Sequence, residues 1–551
     1  MSKNIRYLSG RHGLDNNLFD LLGKSARETG TPSKERLKEL ADEFLLGYAN
    51  TYGSATFYDF MKPENQGKEV YVCNGSTCLC AGTQEKLQSE LEKHVPADKI
   101  GHMTCLGRCH ENSAFNYNGK NYSNLSSSEI DTLFKEGFVQ RDRYSVGSQG
   151  PQILTEKTGD TKAYYSLLDK LNTMSSQEVL DQIKASELKG RGGAGFPMGI
   201  KLQTAADTDA DVKFVICNAD EGDPGAYTDR YILEERPHAL LLGMILTGYA
   251  VGAEWGVLYI RAEYPESIEI AEKAIAELYD NNILPLKGDF NFKFKVIHAQ
   301  GAYICGEETA LINSIEGQRP EVRVRPPFPA VEGLFNRPTI VNNVETLANV
   351  PFILNNGGEA YKAIGTDFST GTKLVSLDSF FNKPGIYEVE MGTPMRDIID
   401  GLGGGFREKV KALHIGGPLG GLVPLDKAYE MTLDYETFKN EGFLLGHASF
   451  VSIPESFPLI EYLQHLFEFT SFESCGKCFP CRLGAKRGSE MLEKSIKEDY
   501  KIDRELFDDL LDTLEQGSLC ALGGGLPLPI KNALAYFEDE LKSYFKETAL
   551  A

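Results

Sequence analysis

The chain has 551 residues, 41% of them apolar and 25% charged, with 57 Lys and Arg against 79 Asp and Glu. That length leaves ample core for about three to five domains. The net charge of −22 argues against nucleic acid or an anionic membrane as the main partner, so a site for an anionic cofactor must be built locally.

The N-terminal stretch "MSKNIRYLSGRHG" lacks the apolar core of a signal peptide, which predicts a cytoplasmic protein. Residues 1–62 read as helical. In "TPSKERLKELADEFLLGYAN", Thr31 is the expected N-cap and Pro32 the first helical residue, with Leu37, Leu40, Phe44, Leu45 and Tyr48 on one face. "KEVYVC" predicts a strand and "TQEKLQSELEKHV" a helix, a small α/β unit ending near 140, and "SVGSQGPQ" (145–152) reads as a linker. From about 153 to 355, helical segments alternate with "VKFVICNA", "GVLYIRAE" and "FKFKVIHA", the rhythm of a mostly parallel α/β domain. Within it, "ALLLGMILTGYAVGA" (239–253) is too short and glycine-rich to span a bilayer and predicts a buried helix, so no direct membrane insertion is expected. A β-rich section follows to about 440 ("KLVSLDS", "GIYEVEMG", "KALHIGG"), and the remainder is expected to be helical.

"KGRGGAGFPMGIK" (189–201) holds a literal G-x-G-x-x-G at Gly190, Gly192 and Gly195, but it follows a predicted helix, not the strand that a Rossmann fingerprint needs. Four glycines in six residues still let the backbone approach a phosphate or a flat ring, with Arg191 and Lys201 supplying charge; the alternative is a flexible turn. "CNADEGDPGAYTDR" (217–230) clusters Asn218, Asp220, Glu221 and Asp223 where open α/β sheets place ligands, although a solvated acidic turn would look the same. In "GAYICGEETA" (301–310), Glu307 and Glu308 open a helix, where acidic residues also suit the helix dipole.

Eleven cysteines in a reducing compartment do not read as a disulfide framework. Five lie between 73 and 109 and four between 475 and 520, which suggests two metal centres. The first group, "CNGSTCLC" and "CLGRC", fits the knuckles of structural zinc poorly. In the second, "ESCGKCFPC" supplies Cys475, Cys478 and Cys481, a spacing open to zinc, a redox pair or an iron–sulfur site. Cys520 in "GSLCALGGG" completes a four-cysteine set suited to [4Fe–4S]. Cys217 and Cys305 read as buried small hydrophobes.

"GRGGAGFP", "CNADEGDPG", "GAYICGEETALINSIEG", "PPFPAVEGLF", "VNNVETLA" and "ESCGKCFPCR" together resemble the NADH- and FMN-binding subunit of bacterial respiratory complex I and its soluble relatives, over roughly 150–551. The resemblance implies an FMN held by Gly190, Arg191, Gly192, Gly193, Lys201, Asn218, Asp220, Glu221, Tyr303, Gly306, Glu307, Glu308, Asn342, Asn343 and Thr346. It implies an NAD(H) stacked on Phe196 and Phe328 that meets Glu308 and Asp223, and Ala521 and Leu522 packed between the [4Fe–4S] cluster and the flavin. This chain has Asp223 where the family commonly has Glu, and "LQT" (202–204) where it often has aromatic residues; NAD versus NADP stays open.

The N-terminal group resembles the thioredoxin-like [2Fe–2S] domain of the family's small partner subunit, whose ligands match Cys73, Cys78, Cys105 and Cys109 and leave Cys80 a bystander. "YGSATFYDFM" (52–61) carries the same likeness, while "HENSAFNYNG" lacks the usual Ala-Pro. The chain thus resembles a fusion of two modules, as in diaphorase subunits of soluble NAD-linked hydrogenases and β subunits of NAD-dependent formate dehydrogenases.

The expected fold is multidomain α/β. It comprises a helical segment (1–62), a thioredoxin-like ferredoxin domain (63–144), a Rossmann-like FMN/NAD domain (153–355), a β-grasp domain (356–440) and a C-terminal helical bundle (441–551). Eight of the eleven cysteines go to two clusters, which leaves no ligand set for a nickel–iron centre. The expected role is an electron-transfer subunit with NADH dehydrogenase (diaphorase) activity, working with iron–sulfur and catalytic subunits of a soluble redox complex. An NAD-linked hydrogenase comes first, with formate dehydrogenase, an electron-bifurcating complex or a complex I module as alternatives.

Overall fold

Three sheets organise the chain in a computed structural model that describes residues 13–14, 17–29, 31–140, 144–157, 159–286 and 290–546. Most of the stretch read above as lacking a leader, residues 1–12, lies outside the described residues.

The N-terminal helices are Leu18–Thr29, Lys34–Glu43 and Tyr48–Ala55. The second starts later than expected, because Ser33 is its N-cap and accepts from the Arg36 N–H at 3.1 Å. Thr31 instead donates its hydroxyl to the Lys62 carbonyl. Leu37 and Leu40 are buried as their spacing predicts, but Leu45 adopts φ 53° outside the helix, so the run through Tyr48 is two helices, not one. This segment docks on the next domain but one. Phe19 stacks on Tyr259 at 6.2 Å, and the Tyr58 hydroxyl meets that of Ser314 at 2.8 Å.

Strands β1 (Val70–Cys73), β2 (Ile100–Met103), β3 (Phe115–Tyr117) and β4 (Lys120–Tyr122) form a sheet ordered β2-β1-β3-β4, with β1 and β2 parallel and the β3–β4 hairpin antiparallel. The segment read as a linker holds strand β5 (Ser145–Gln149), which pairs in parallel with a strand far downstream. Its exposed, unpatterned residues suit a sheet edge.

The α/β domain contains β6 (Phe214–Ala219), β7 (Trp255–Ile260), β8 (Lys293–His298) and β9 (Thr339–Asn343), all parallel and ordered β8-β7-β6-β9. Strands covered on both faces read as apolar runs, which is why β6 and β7 stand out in the sequence, while edge strand β8 alternates Lys with apolar residues and is only partly buried. The order reverses between β6 and β9, and a crevice for ligands opens at such a point. Most of the apolar run at 239–253 forms the buried helix Pro237–Val251, which Gly252 ends in the left-handed conformation, and no described helix is long and apolar enough to cross a membrane.

The third sheet is six-stranded, ordered β13-β12-β14-β10-β11-β5, from β10 (Thr372–Leu377), β11 (Gly385–Glu390), β12 (Val410–Ile415), β13 (Gly421–Pro424) and β14 (Ser449–Pro454). It draws β5 and β14 from either side of 356–440, so the stretch after 440 is not all helical. Beyond β14, the helices Leu459–Glu473, Ala485–Lys497, Arg504–Gly517 and Pro527–Tyr536 pack around Leu463, Phe467, Leu492, Leu511 and Ile530.

Candidate functional site

The ends of β6 and β9 lie side by side, with Cys217 opposite Asn342 and Asn218 opposite Asn343. Asn343 caps the helix Val344–Ala348 by accepting from the Thr346 N–H, and donates to Asp229 at 2.5 Å. The Thr346 hydroxyl accepts from the Arg191 N–H at 2.8 Å, which ties the glycine loop across the strand ends. A Cβ on Gly192 would stand 2.9 Å from that of Asn343, so only glycine lets the loop come so close. Gly190 offers its carbonyl to the Tyr435 hydroxyl, and Gly193 follows with φ 122°. Lys201 reaches over β9 to the Val341 carbonyl (2.9 Å) and Glu308 (3.4 Å). Asn218 donates to the Gly306 carbonyl at 2.7 Å and joins the two acidic turns.

Polar atoms around this cradle remain unspent. Arg191 is wholly buried and donates from one nitrogen to the Tyr361 hydroxyl and the Thr370 carbonyl, while its Nε and Nη1 have no hydrogen-bond partner among the described residues. The same holds for Asn342 Nδ2 and Asp220 Oδ2. Each such buried group costs about 1–3 kcal/mol when left unpaired. A ligand with an anionic tail and a polar ring recovers that cost, so the residues present fit FMN.

Two of the acidic residues are spent on helix ends. Glu307 accepts from the Thr309 and Ala310 N–H groups, and Glu221 from those of Asp229 and Arg230. Burial raises the Glu221 carboxyl despite those donors, and pushes that of Asp220 well above its ordinary range. Asp223 accepts from the Tyr303 hydroxyl at 2.6 Å and pairs with His447 Nδ1 at 2.9 Å. Phe196 and Phe328 are 50% and 55% exposed. Arg325 stands 5.9 Å from the Phe328 ring and 3.0 Å from Glu308. Neither Arg325 nor His447 stood out in the sequence. The first immediately precedes "PPFPA", a visible signal; the second reaches Asp223 only through the fold.

Cys73, Cys78, Cys105 and Cys109 are all buried and unbridged. The Cys105 and Cys109 sulfurs lie 3.6 Å apart, and a hydrogen bond from Cys78 pulls the Cys73 thiol down to about 7. N–H groups of Gly75 and Gly225 point at Cys73 and Cys109 (3.4 and 3.2 Å), as donors do around cluster sulfurs. Gly225 belongs to the acidic turn after β6, so the thiol loop abuts the flavin motif. Arg261, at the end of β7, spans the joint from the carbonyls of Cys105 and Thr104 to that of Glu221, with Glu263 at 2.8 Å. Cys80 points elsewhere, into the core of the C-terminal helices.

In the other group Cys475 and Cys481 are buried and Cys478 and Cys520 half-buried. A Cβ on Gly523 would stand 2.7 Å from that of Cys481, so the Cys520 segment closes on the three-cysteine turn. Burial pushes the Cys481 thiol up to about 11 and Cys520 to about 12, so loading a metal group there releases protons. Buried Leu522 packs in one core with Cys475, Cys481, Ile304 and Cys305, while Ala521 is exposed. Cys217 and Cys305 are buried beneath the flavin motifs. Among the described residues no three His, Cys, Asp or Glu side chains close on one point as around a single metal ion. Four thiols on each side suit iron–sulfur groups.

Three family models match the chain: a thioredoxin-like [2Fe–2S] ferredoxin at 6–137, the Nuo51 FMN-binding domain at 183–352, and the NADH-ubiquinone oxidoreductase-F iron–sulfur binding region at 461–544. NADP-reducing hydrogenase subunit HndC of Solidesulfovibrio fructosivorans is 40% identical over 69% of this chain and 78% of its own length. An NADH-quinone oxidoreductase subunit of Rhizobium meliloti is 39% identical over 70% of the chain and 92% of its own. NAD-reducing hydrogenase HoxS subunit alpha of Cupriavidus necator is 31% identical over 97% of this chain and 92% of its own. A crystal structure of an NAD+-reducing [NiFe]-hydrogenase in the H2-reduced state superposes with a TM-score of 0.86 at 27% identity, over 97% of this chain and 93% of that one. The chain belongs to the family of NADH- and FMN-binding subunits of complex I and its soluble relatives, with a thioredoxin-like [2Fe–2S] module fused at its N-terminal side.

Proposed function

We propose that this chain is the NAD(H)-facing electron-transfer subunit of a cytoplasmic NAD-linked hydrogenase, exchanging electrons with partner subunits that handle hydrogen. The observation that carries this is the likeness to the HoxS alpha subunit, which runs through the fused [2Fe–2S] module as well as the flavin and [4Fe–4S] regions. Bound at the crevice, FMN supplies what the side chains lack, exchanging hydride with NAD(H) and single electrons with the clusters.

The chain's own residues position these groups. The Gly192 and Gly193 N–H groups and the unspent Arg191 nitrogens would hold the phosphate, with Lys201, Asn218, Asp220, Asn342, Asn343 and Thr346 around the ring and tail and Gly190 fixing the loop through its N–H to the Phe196 carbonyl. Glu221 and Glu307 brace the helix ends beside them, next to Tyr303 and Gly306. Phe196 and Phe328 receive the NAD(H) rings, with Glu308 and Asp223 as polar partners. Buried Leu522, with Ala521 beside it at the start of the same helix, would lie between the flavin and the [4Fe–4S] group.

Isolation of the intact complex from its source cell, with mass analysis and NAD+ reduction assayed against hydrogen and against formate, tests the reading. Hydrogen-driven reduction and a nickel-binding partner are expected. Formate-driven reduction alone would move the chain to the formate dehydrogenases.

A further inference from the structure

Oxidation of NADH leaves NAD+, two electrons and one proton, and thiolate-held clusters carry away only the electrons. One proton must therefore leave the flavin site per nucleotide, or enter it in the reverse direction. Behind the flavin motifs lies an enclosed cavity of about 10 Å³, room for one water. Its charged lining is Asp59, Asp220, Glu263 and Glu473 against Arg261 alone. Asp220 Oδ2 and Glu263 Oε2 are both buried without a hydrogen-bond partner among the described residues, and Glu263 is only 4% exposed. Asp59 also lines a wider cavity of about 130 Å³, together with Lys62, Arg319 and the 56% exposed Phe472. The two cavities share Asp59, Ala302 and Glu473, which places them side by side between the end of β6 and the surface by the N-terminal helices.

We propose that Asp220, Glu263 and Asp59, bridged by water in the enclosed cavity, form the proton path between the flavin site and the surface groove. The path rests on the flavin reading above. Lys62 pairs with Asp59 at 2.6 Å and Arg261 with Glu263 at 2.8 Å, which leaves Asp220 without a cation at hydrogen-bond distance. Burial raises the carboxyls of both Asp220 and Asp59, so each can hold a proton that an exposed aspartate would release. Asp220 is faced by Arg261, Glu263, Glu473 and Asp223, and Asp59 by Lys62, Glu263 and Glu64. Tyr58, Tyr259 and Cys305 lie beneath Asp220 and stay protonated because burial raises them. Glu473, which lines both cavities, accepts from the Tyr303 N–H, and burial pushes its carboxyl up to about 8.

The test is Asp59→Asn in the assembled holoenzyme. Bleaching of the flavin by NADH in a single turnover should be unchanged, because hydride arrives without a separate proton. Steady-state oxidation with ferricyanide should fall about tenfold or more, with a larger solvent deuterium isotope effect and partial rescue by imidazole. Asp59→Glu should retain the rate. Unchanged turnover and isotope effect in the Asn variant would overturn the path, whereas failure of NADH to bleach the unmodified protein would sink the flavin reading instead. If the variant does not assemble, redox-difference infrared spectra of the unmodified holoenzyme decide. A deuterium-sensitive carboxyl band is expected on reduction, and its absence overturns the proposal.

Discussion

The two thiol groups share a ligand chemistry and differ in everything around it. The N-terminal four are shut between modules, where Arg261 and Arg230 reach the carbonyls of Cys105 and Gly107 and the Gly225 N–H meets Cys109. The C-terminal four lie at a surface, with Cys478 and Cys520 half-buried and Phe479, Leu483 and Leu519 exposed beside them. A cluster in the first place would be walled in by this chain's own side chains. One in the second can be approached from outside, across a patch of apolar side chains of the kind that marks an interaction site. Burial thus separates an inward group from an outward one.

Loss of a ligand should break that contrast most sharply. Cys520→Ser should remove the [4Fe–4S] EPR signal and cut electron transfer to the partner subunits at least about a hundredfold, while NADH oxidation with an artificial acceptor at the flavin largely persists. Cys109→Ser should remove the [2Fe–2S] signal and leave transfer to the partner measurable. Equal loss of partner transfer in both variants would mean that the two groups lie in series.

The inward group depends on its suture. Arg261→Met leaves Glu263 an uncompensated buried charge and strips a donor from the carbonyls of Glu221 and Cys105. A loss of about 3–5 kcal/mol is expected, seen as a lower melting temperature and faster amide exchange at 104–109. Unchanged exchange there would show that the module is held by apolar contacts alone.

That suture was invisible in the sequence. "VKFVICNA" and "GVLYIRAE" announce their strands because a buried parallel strand needs an unbroken apolar run, and the residues following them inherit a position at the crevice. Ser145–Gln149 carries no such pattern, since an edge strand is held by backbone hydrogen bonds that any residue can make. Ser449–Pro454 is apolar enough to be a strand but is followed directly by a long helix, and only tertiary pairing shows that it fills the gap between β10 and β12. The two cysteine groups were legible because their thiols cluster in the sequence. Arg261 and His447 were not, because each acts across more than a hundred residues or between modules.

The seam between the two thiol regions should also answer to pH. Ser76, between Cys73 and Cys78 in sequence, meets His465 at 3.1 Å on the helix that leads to Cys475, and His414 meets Tyr462 on the same helix at 2.8 Å. Burial pulls the His414 imidazole from 6.5 down to about 4. The unfolded chain therefore takes up the proton first, and stability falls as pH drops through that window. Between about pH 7 and about pH 5 the loss from this group should be about 2 kcal/mol. Thermal melts at both values check it, and His414→Gln should narrow the difference.

The smallest effect expected is also the cleanest check on the ligand set of the inward group. Cys80 is two residues from Cys78, yet its side chain packs with Leu463, Leu466 and Tyr462, and burial keeps it a thiol rather than the thiolate a metal group needs. Cys80→Ala should cost about 1 kcal/mol, the loss of one buried atom's contacts, and leave the [2Fe–2S] EPR signal unchanged in position and intensity. A shifted or broadened signal would mean that this thiol lies close enough to be a ligand when the cluster is loaded, and the set of four would have to be redrawn around it.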